Sequence, residues 1–117
     1  AGQAIPLFGD GSTVRDYTYV DDIVDGVSRA IDRFSGFHTY NLGGAHPVSL
    51  CDLIAMIEGA TGRKAVIERR PPQAGDVERT CADVSLAGRE LGFRPLTDLA
   101  TGLARFVEWF RSDAGQV

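Results

Sequence analysis

The chain has 117 residues and a formal net charge of −4, which is the size of one modest domain. Hydrophobic residues make up 44% and charged residues 24%, a balance that excludes a disordered or fibrous chain. Acidic residues outnumber basic residues by 16 to 12, which argues against a surface that neutralises many phosphates of a nucleic acid. We therefore expect no nucleic-acid partner.

Membrane and metal-binding signals are weak in this sequence. No apolar run approaches the roughly 20 residues of a membrane-spanning helix, and the first residues lack the basic and apolar parts of a signal peptide. Cys51 and Cys81 have no second Cys or His at ligand spacing near them, so neither a metal site nor a disulfide framework is predicted. We expect a reducing, cytoplasmic setting and no membrane partner.

The first half of the chain predicts a turn, a helix and a strand. The glycine-rich residues 9–13 are typical of a loop or hairpin between two extended pieces. From Val20 the apolar residues follow helical spacing, and Thr18 with Asp21 resembles a weak capping box. Residues 38–42 are predicted to form a strand that ends at two glycines. The predicted apolar stripe of the helix consists of Ile23, Val24, Val27, Ala30, Ile31 and Phe34.

The second half predicts three more helices and an edge strand. A second helix begins after Ser49, with Asp52 three residues on, and ends at Gly62. Residues 65–69 form the edge strand and residues 71–76 an irregular loop. The prediction is an α/β domain with about four helices and a few short strands. The remaining helix boundaries are Asp83 and Gly92 for a short helix, and Thr97 or Asp98 as the cap of the last one.

Familiar catalytic and cofactor motifs do not occur. The only lysine, Lys64, has Ala60 four residues before it, so the Tyr-x-x-x-Lys pair of short-chain dehydrogenases is not present. The sequence from Gly9 to Gly11 continues to Val14 where a dinucleotide loop needs a third glycine. We therefore predict no catalytic, cofactor-binding or metal-binding residues in this chain. Asp21, Asp22 and Asp25 are interpreted as solvated residues that complement the helix dipole.

Four short blocks of sequence stand in a specific order. They are G-D-G-x-x-x-R-D-Y-x-Y-V-x-D (residues 9–22), Y-N-L-G (40–43), G-D-V (75–77) and E-L-G-F-R-P (90–95). Together they resemble the C-terminal half of the nucleotide-sugar epimerases of the extended short-chain dehydrogenase/reductase family. The amino acids at positions 73–77 and 105–109 are most similar to those of UDP-glucuronate 4-epimerases, with UDP-glucose 4-epimerases next.

The resemblance implies a fold and an activity. The chain is expected to be a partial, C-terminal portion of an extended short-chain dehydrogenase/reductase fold, with residues 1–117 as one substrate-binding unit. The N-terminal Rossmann domain that binds NAD is then absent. Whole relatives oxidise the sugar at C4 by hydride transfer to NAD and return the hydride to the other face. The chain alone is expected to be inactive. The alternatives are a non-catalytic binding or oligomerisation module, and a nucleotide-sugar dehydratase of the same family.

The resemblance also implies roles for individual residues on a UDP-sugar. Arg15 is expected to bind the pyrophosphate, which a planar guanidinium contacts bidentately; the alternative is a surface ion pair with Asp10 or Asp16. Asp76, beside Gly75, is expected to accept the ribose hydroxyls, or else only to cap its loop. The uracil is expected to lie against Pro6, Leu7 and Phe8, of which Leu7 and Phe8 are alternatively plain core residues.

Two departures from the family pattern carry further expectations. Gln73 stands where UDP-glucose 4-epimerases often have a second phosphate-binding arginine, and Arg79 is either its replacement or an ordinary solvated arginine. In the family, the helix from Val20 and the strand of residues 38–42 pack on the nucleotide-binding sheet. Without that sheet, we expect self-association or a strand-swapped homo-oligomer.

Overall fold

The computed structural model describes residues 2–33 and 35–112. Phe34, the last residue of the predicted first stripe, lies outside the described residues. The described part contains four helices and four short strands, which confirms the predicted α/β class, and none of these helices is long and apolar enough to cross a membrane. The elements are β1 (Ile5–Phe8), β2 (Val14–Arg15), α1 (Val20–Asp32), β3 (Val48–Ser49), α2 (Leu50–Thr61), β4 (Ile67–Arg70), α3 (Ser85–Leu91) and α4 (Leu99–Arg111).

The strands form two small sheets. β1 pairs in parallel with β4, from Ile5 opposite Ile67 to Phe8 opposite Arg70, and β2 pairs antiparallel with β3. The predicted turn is confirmed, because Gly9 and Gly11 have φ values of 74° and 85°, which glycine adopts without strain. The hairpin alternative is wrong. The strands on either side of the turn pair with distant partners and not with each other.

Local capping signals predict two of the helices accurately. The Ser49 side chain accepts a hydrogen bond from the backbone N–H of Asp52 at 3.1 Å, and Gly62 ends α2 in the left-handed conformation. Asp98, one of the two predicted caps of α4, accepts from the N–H of Thr101 at 2.8 Å. These contacts satisfy N–H groups that the helix itself leaves unpaired.

The other two predicted caps are wrong. α1 begins after Tyr19 without any side-chain cap, because the Thr18 hydroxyl accepts instead from the N–H of Gly44 at 2.8 Å. α3 begins after Val84, so Asp83 lies one position too early. Its carboxylate still accepts from the N–H of Ser85 at 3.0 Å.

Residues 38–42 do not form the predicted strand. A strand requires a neighbouring backbone for its hydrogen bonds, and this segment instead contacts the region of α3 through side chains. The Tyr40 hydroxyl donates to Glu90 at 2.7 Å, and the Asn41 amide donates to the Asp83 carbonyl at 3.4 Å. Leu42 packs against the core. The segment is held by its side chains and not by sheet pairing.

The buried core of the described residues is small and lies around α3. Leu91 and Phe93 are 2% and 1% exposed, and they pack with Ala87 and neighbours from α1 and the following segment. Asp22 of α1 is also buried, and its carboxylate accepts from the N–H of Thr97 at 3.0 Å and from its hydroxyl at 3.2 Å. The interpretation of Asp22 as a solvated residue is therefore wrong.

A second carboxylate fixes the segment that follows β2. Asp16 Oδ2 accepts from the N–H groups of Ala45 and Ala82 at 3.1 and 3.0 Å, so one side chain connects two loops that are distant in sequence. Gly43 permits this packing, because a Cβ at that position would lie 2.5 Å from the Cβ of Ala82 and 2.8 Å from Asp16 Oδ2. Asp16 thereby holds the backbone next to Arg15 in place.

We predict opposite effects of alanine at two glycines. Gly43→Ala forces apart packed atoms, including the Cβ of Ala82, and should lower the free energy of unfolding by about 1–3 kcal/mol. Gly59→Ala, in α2 with no heavy atom within 4 Å of the added Cβ, should raise it by about 0.5–1 kcal/mol, because alanine favours helix. Urea unfolding followed by circular dichroism measures both changes, and a Gly43→Ala variant as stable as the parent protein would contradict the packing described.

Candidate functional site

A cleft of about 570 Å³ lies at the carboxyl ends of β1 and β4. The carboxyl ends of parallel strands are a common place for ligands in α/β proteins, because loops leave the sheet together there. Residues of both strands, of the turn after β1 and of the loop after β4 line the cleft. The lining residues are Phe8, Gly9, Asp10, Thr13, Arg69, Arg70, Pro72, Gln73, Asp76 and Glu78.

The turn after β1 is fixed against the beginning of α2. The carbonyl of Thr13 accepts from the N–H of Leu50 at 2.9 Å, and that of Gly11 accepts from the N–H of Cys51 at 3.0 Å. Any Cβ on Gly11 would overlap Cys51 Sγ, so this turn requires glycine for both space and conformation. The first turn of α2 therefore holds one side of the cleft.

Arg15 forms an ion pair with Asp76, and this contact brings Arg15 to the rim of the cleft, although Asp76 and not Arg15 is among the lining residues. The backbone brings them together: the N–H of Val14 donates to the Glu78 carbonyl at 2.8 Å, and the N–H of Thr80 donates to the Val14 carbonyl at 3.0 Å. The side chains are 26% and 44% exposed, so both groups remain accessible from solvent. Arg15 forms no ion pair with Asp10 or Asp16, the two partners that the alternative interpretation named.

Of the other residues that were predicted to bind the ligand, some line the cleft and some lie outside it. Phe8 and Gln73 line the cleft, and Gln73 accepts from the N–H of Asp76 at 3.3 Å through its backbone carbonyl. Pro6 is exposed outside the lining, and Leu7 is 4% exposed and belongs to the core. Arg79 is exposed and does not line the cleft. The ligand contacts assigned to all these residues stay predictions.

Two arginines that line the cleft were not predicted from the sequence. Arg69 Nη1 donates to the Asp10 carbonyl at 3.4 Å, and Arg70 Nη2 contacts both carboxylate oxygens of Glu68 at 3.1 and 3.2 Å. Their position at the end of a strand, directly before two prolines, was a usable signal. The pairing of β4 with β1 was not predicted, and without it neither arginine could be placed beside Phe8.

Asp10 carries a stable negative charge into the cleft. Hydrogen bonds from the Ser12 hydroxyl at 2.6 Å and from the Ser12 N–H at 2.9 Å favour the ionised carboxylate. They hold the pKa of Asp10 below its ordinary value of 3.8. Among the described residues no group of three or more His, Cys, Asp or Glu side chains is arranged to hold a metal ion.

We predict that Ser12→Ala raises the pKa of Asp10. The variant removes the hydroxyl donor, which is the largest contribution to the lowered pKa, and keeps the backbone donor. A carboxyl-detected NMR titration should give a midpoint below 3.8 for the parent protein and a higher one for the variant. Ser28→Ala, on the exposed face of α1, is the matched control and should leave the midpoint unchanged. Equal midpoints in all three proteins would refute the contact.

Comparison with known proteins gives consistent matches over most of the chain. Residues 1–43 match the model of the NAD dependent epimerase/dehydratase family. The UDP-glucose 4-epimerase of Mycolicibacterium smegmatis is 40% identical over 96% of this chain and 36% of its own length. The chain therefore spans about a third of the length of such relatives.

Solved structures give the same result for the fold. The UDP-glucose 4-epimerase of Thermotoga maritima, determined with UDP-glucose, superposes with a TM-score of 0.86 at 34% identity, over 94% of this chain and 35% of that one. The UDP-glucuronic acid 4-epimerase of Bacillus cereus, determined with UDP-glucuronic acid and NAD, superposes with a TM-score of 0.82 at 29% identity, over 93% and 36%. The resemblance predicted from the sequence is confirmed: over most of its length this chain is similar to a part of nucleotide-sugar 4-epimerases, and its residues 1–43 match the NAD dependent epimerase/dehydratase family.

Proposed function

We propose that this chain binds the UDP portion of a UDP-sugar, UDP-glucuronate or UDP-glucose, as the substrate-binding part of an NAD-dependent 4-epimerase. One observation carries the proposal. Arg15 and Asp76 are the two residues with the most specific expected roles, and Arg15 forms an ion pair with Asp76, which lines the cleft together with Phe8. The similarity to epimerases that were solved with UDP-sugars supports the same assignment.

The chemistry of these groups suits a nucleoside diphosphate. The guanidinium of Arg15 has donors beyond the one that contacts Asp76, and a diphosphate takes such donors in pairs. The carboxylate of Asp76 is an acceptor for ribose hydroxyls, and its place beside Gly75, with a φ of 85°, allows a ligand to approach closely. Phe8 offers an apolar surface to the uracil ring. Each part of UDP therefore has a partner of fitting chemistry.

We propose that NAD is held by polypeptide outside this chain. The described strands form two sheets of two strands each, whereas a dinucleotide fold needs a wider parallel sheet with a glycine-rich first turn. When bound in the whole enzyme, NAD supplies the acceptor and donor of the hydride at C4 of the sugar. The share of this chain is to hold and orient the nucleotide, and by itself it is expected to catalyse no epimerisation.

We predict that Arg15→Gln weakens UDP binding by about tenfold or more, because a charge-assisted contact is lost. Chemical shifts of the backbone amides, followed during a UDP titration, give the dissociation constant of each protein. Arg94→Gln, an exposed arginine outside the cleft, changes the net charge equally and should bind as the parent protein does.

The same titration separates the alternatives. If neither UDP, UDP-glucose nor UDP-glucuronate perturbs residues of the cleft, the proposal fails and a binding or oligomerisation module on this scaffold is favoured. Binding of UDP-sugars without any loss in Arg15→Gln would locate the nucleotide elsewhere. A nucleotide-sugar dehydratase differs from an epimerase in the chemistry at the sugar, which the whole enzyme reveals through its products.

We further propose that the chain self-associates through α1. Val20, Val24, Val27 and Ile31 are 61%, 55%, 48% and 70% exposed, and their spacing of four, three and four residues forms one apolar seam. An exposed seam of this kind favours association with a second copy. A strand-swapped form has less support, because residues 38–42 form no strand.

We predict that the double substitution Val24→Gln and Val27→Gln shifts the chain to a monomer, because amide groups along the seam resist burial without partners. Light scattering at several hundred micromolar measures the mass of the parent protein and the variant. Val66→Gln and Val77→Gln, two exposed valines outside α1, form the control pair. A monomeric parent protein at high concentration would rule the association out.

A further inference from the structure

Three carboxylates face the cleft that is proposed to bind a dianion. They belong to Asp10, Asp76 and Glu78, and the described structure shows Asp76 alone among them paired with an arginine side chain. A diphosphate brings at least two further negative charges to the same space. Unless nearby cations balance these carboxylates, like-charge repulsion opposes the binding of UDP.

We infer that Arg69 and Arg70 balance the negative charge of these carboxylates. Together with Arg15, they provide the positive charge that binds the diphosphate. Both arginines line the cleft, and with Arg15 they set three guanidinium groups against the three carboxylates of the lining, while Glu68, the partner of Arg70, lies outside the lining. If both are removed, Arg15 alone of these three cations remains to oppose the carboxylates of the cleft. The inference rests on the proposed function and assigns two residues that the family resemblance did not point to.

The register of the parallel strands places these arginines. Arg70 stands opposite Phe8, and Arg69 stands opposite Leu7. Residues that are paired across strands present their side chains to the same face, so Arg70 shares the face of Phe8, which lines the cleft. Arg69 contacts the carbonyl of Asp10, and it therefore reaches the turn at the end of β1. Arg70 therefore lines the cleft from the face of Phe8, and Arg69 lines it beside the turn after β1.

The present partners of both guanidiniums leave them able to bind an anion. Arg70 and Glu68 form an ion pair in which the side chains are 48% and 53% exposed, and exposed pairs contribute little to stability. Arg69 makes one contact at 3.4 Å to a neutral carbonyl. Each guanidinium carries five N–H donors, so a diphosphate can be accepted without breaking a strong interaction.

The test compares ligands that differ only in their phosphates. Dissociation constants for uridine and UDP are measured by NMR titration for the parent protein, Arg69→Gln, Arg70→Gln and the double variant. The control is a double variant of Arg63→Gln and Arg94→Gln, two exposed arginines outside the cleft, which changes the net charge equally and leaves the cleft lining intact. Circular dichroism verifies that each protein is folded.

We expect the double variant of β4 to weaken UDP binding by about tenfold or more, because charge-assisted contacts are lost. Its affinity for uridine should stay within about twofold, since uridine has no charge to balance. The loss should also shrink as salt is added, because the effect is electrostatic. The control double variant should bind both ligands as the parent protein does.

Several results would overturn the inference. If the variants of β4 bind UDP normally while Arg15→Gln does not, the proposed function stands and the role of Arg69 and Arg70 is refuted. If the control double variant weakens UDP binding as much, the effect is one of net charge and the role of Arg69 and Arg70 is refuted. If the parent protein binds no UDP, both the proposed function and this inference fail.

Discussion

The backbone pairing of Val14 is the constraint on which the site depends. Its N–H and carbonyl bond to the segment after the proline-rich loop, while β2 also pairs with β3 at the start of α2. One residue therefore joins the turn after β1, the beginning of a helix and the loop that carries Asp76. Without this junction Arg15 and Asp76 would have no reason to meet, because they lie far apart in the sequence and their side-chain attraction at an exposed rim is small.

The carboxylates of the motif around Arg15 have two different tasks. Asp16 accepts two backbone N–H groups from distant loops, and Asp22 accepts two donors from Thr97. Both hold backbone segments together, because each carboxylate accepts hydrogen bonds from residues that are distant in the sequence. Asp10, by contrast, has its carboxylate engaged by Ser12 and contributes charge to the cleft. Thus one short stretch of sequence supplies the architecture of the site and part of its electrostatics.

Features that depend on contacts between residues close in sequence could be predicted, and features that depend on distant residues could not. The caps by Ser49 and Asp98 and the end of α2 at Gly62 depend on contacts within one helical turn, and these were predictable. The pairing of β1 with β4 depends on residues far apart, and nothing in either strand identifies the other. Arg69 and Arg70 were missed for that reason. Arg15 and Asp76 could be named as candidates because a family resemblance carries long-range information that local patterns do not.

The cleft and the exposed seam of α1 are independent features of this fold. The valines of the seam lie on α1, and none of the residues that line the cleft belongs to that helix. A second copy that covers the seam therefore buries apolar surface without removing water from the ion pair of Arg15 and Asp76. Since charge-assisted contacts gain strength when solvent is excluded, association through α1 would stabilise the chain without strengthening the ion pair of Arg15 and Asp76. The proposed contact with a diphosphate would be strengthened by a different surface, one that covers this ion pair.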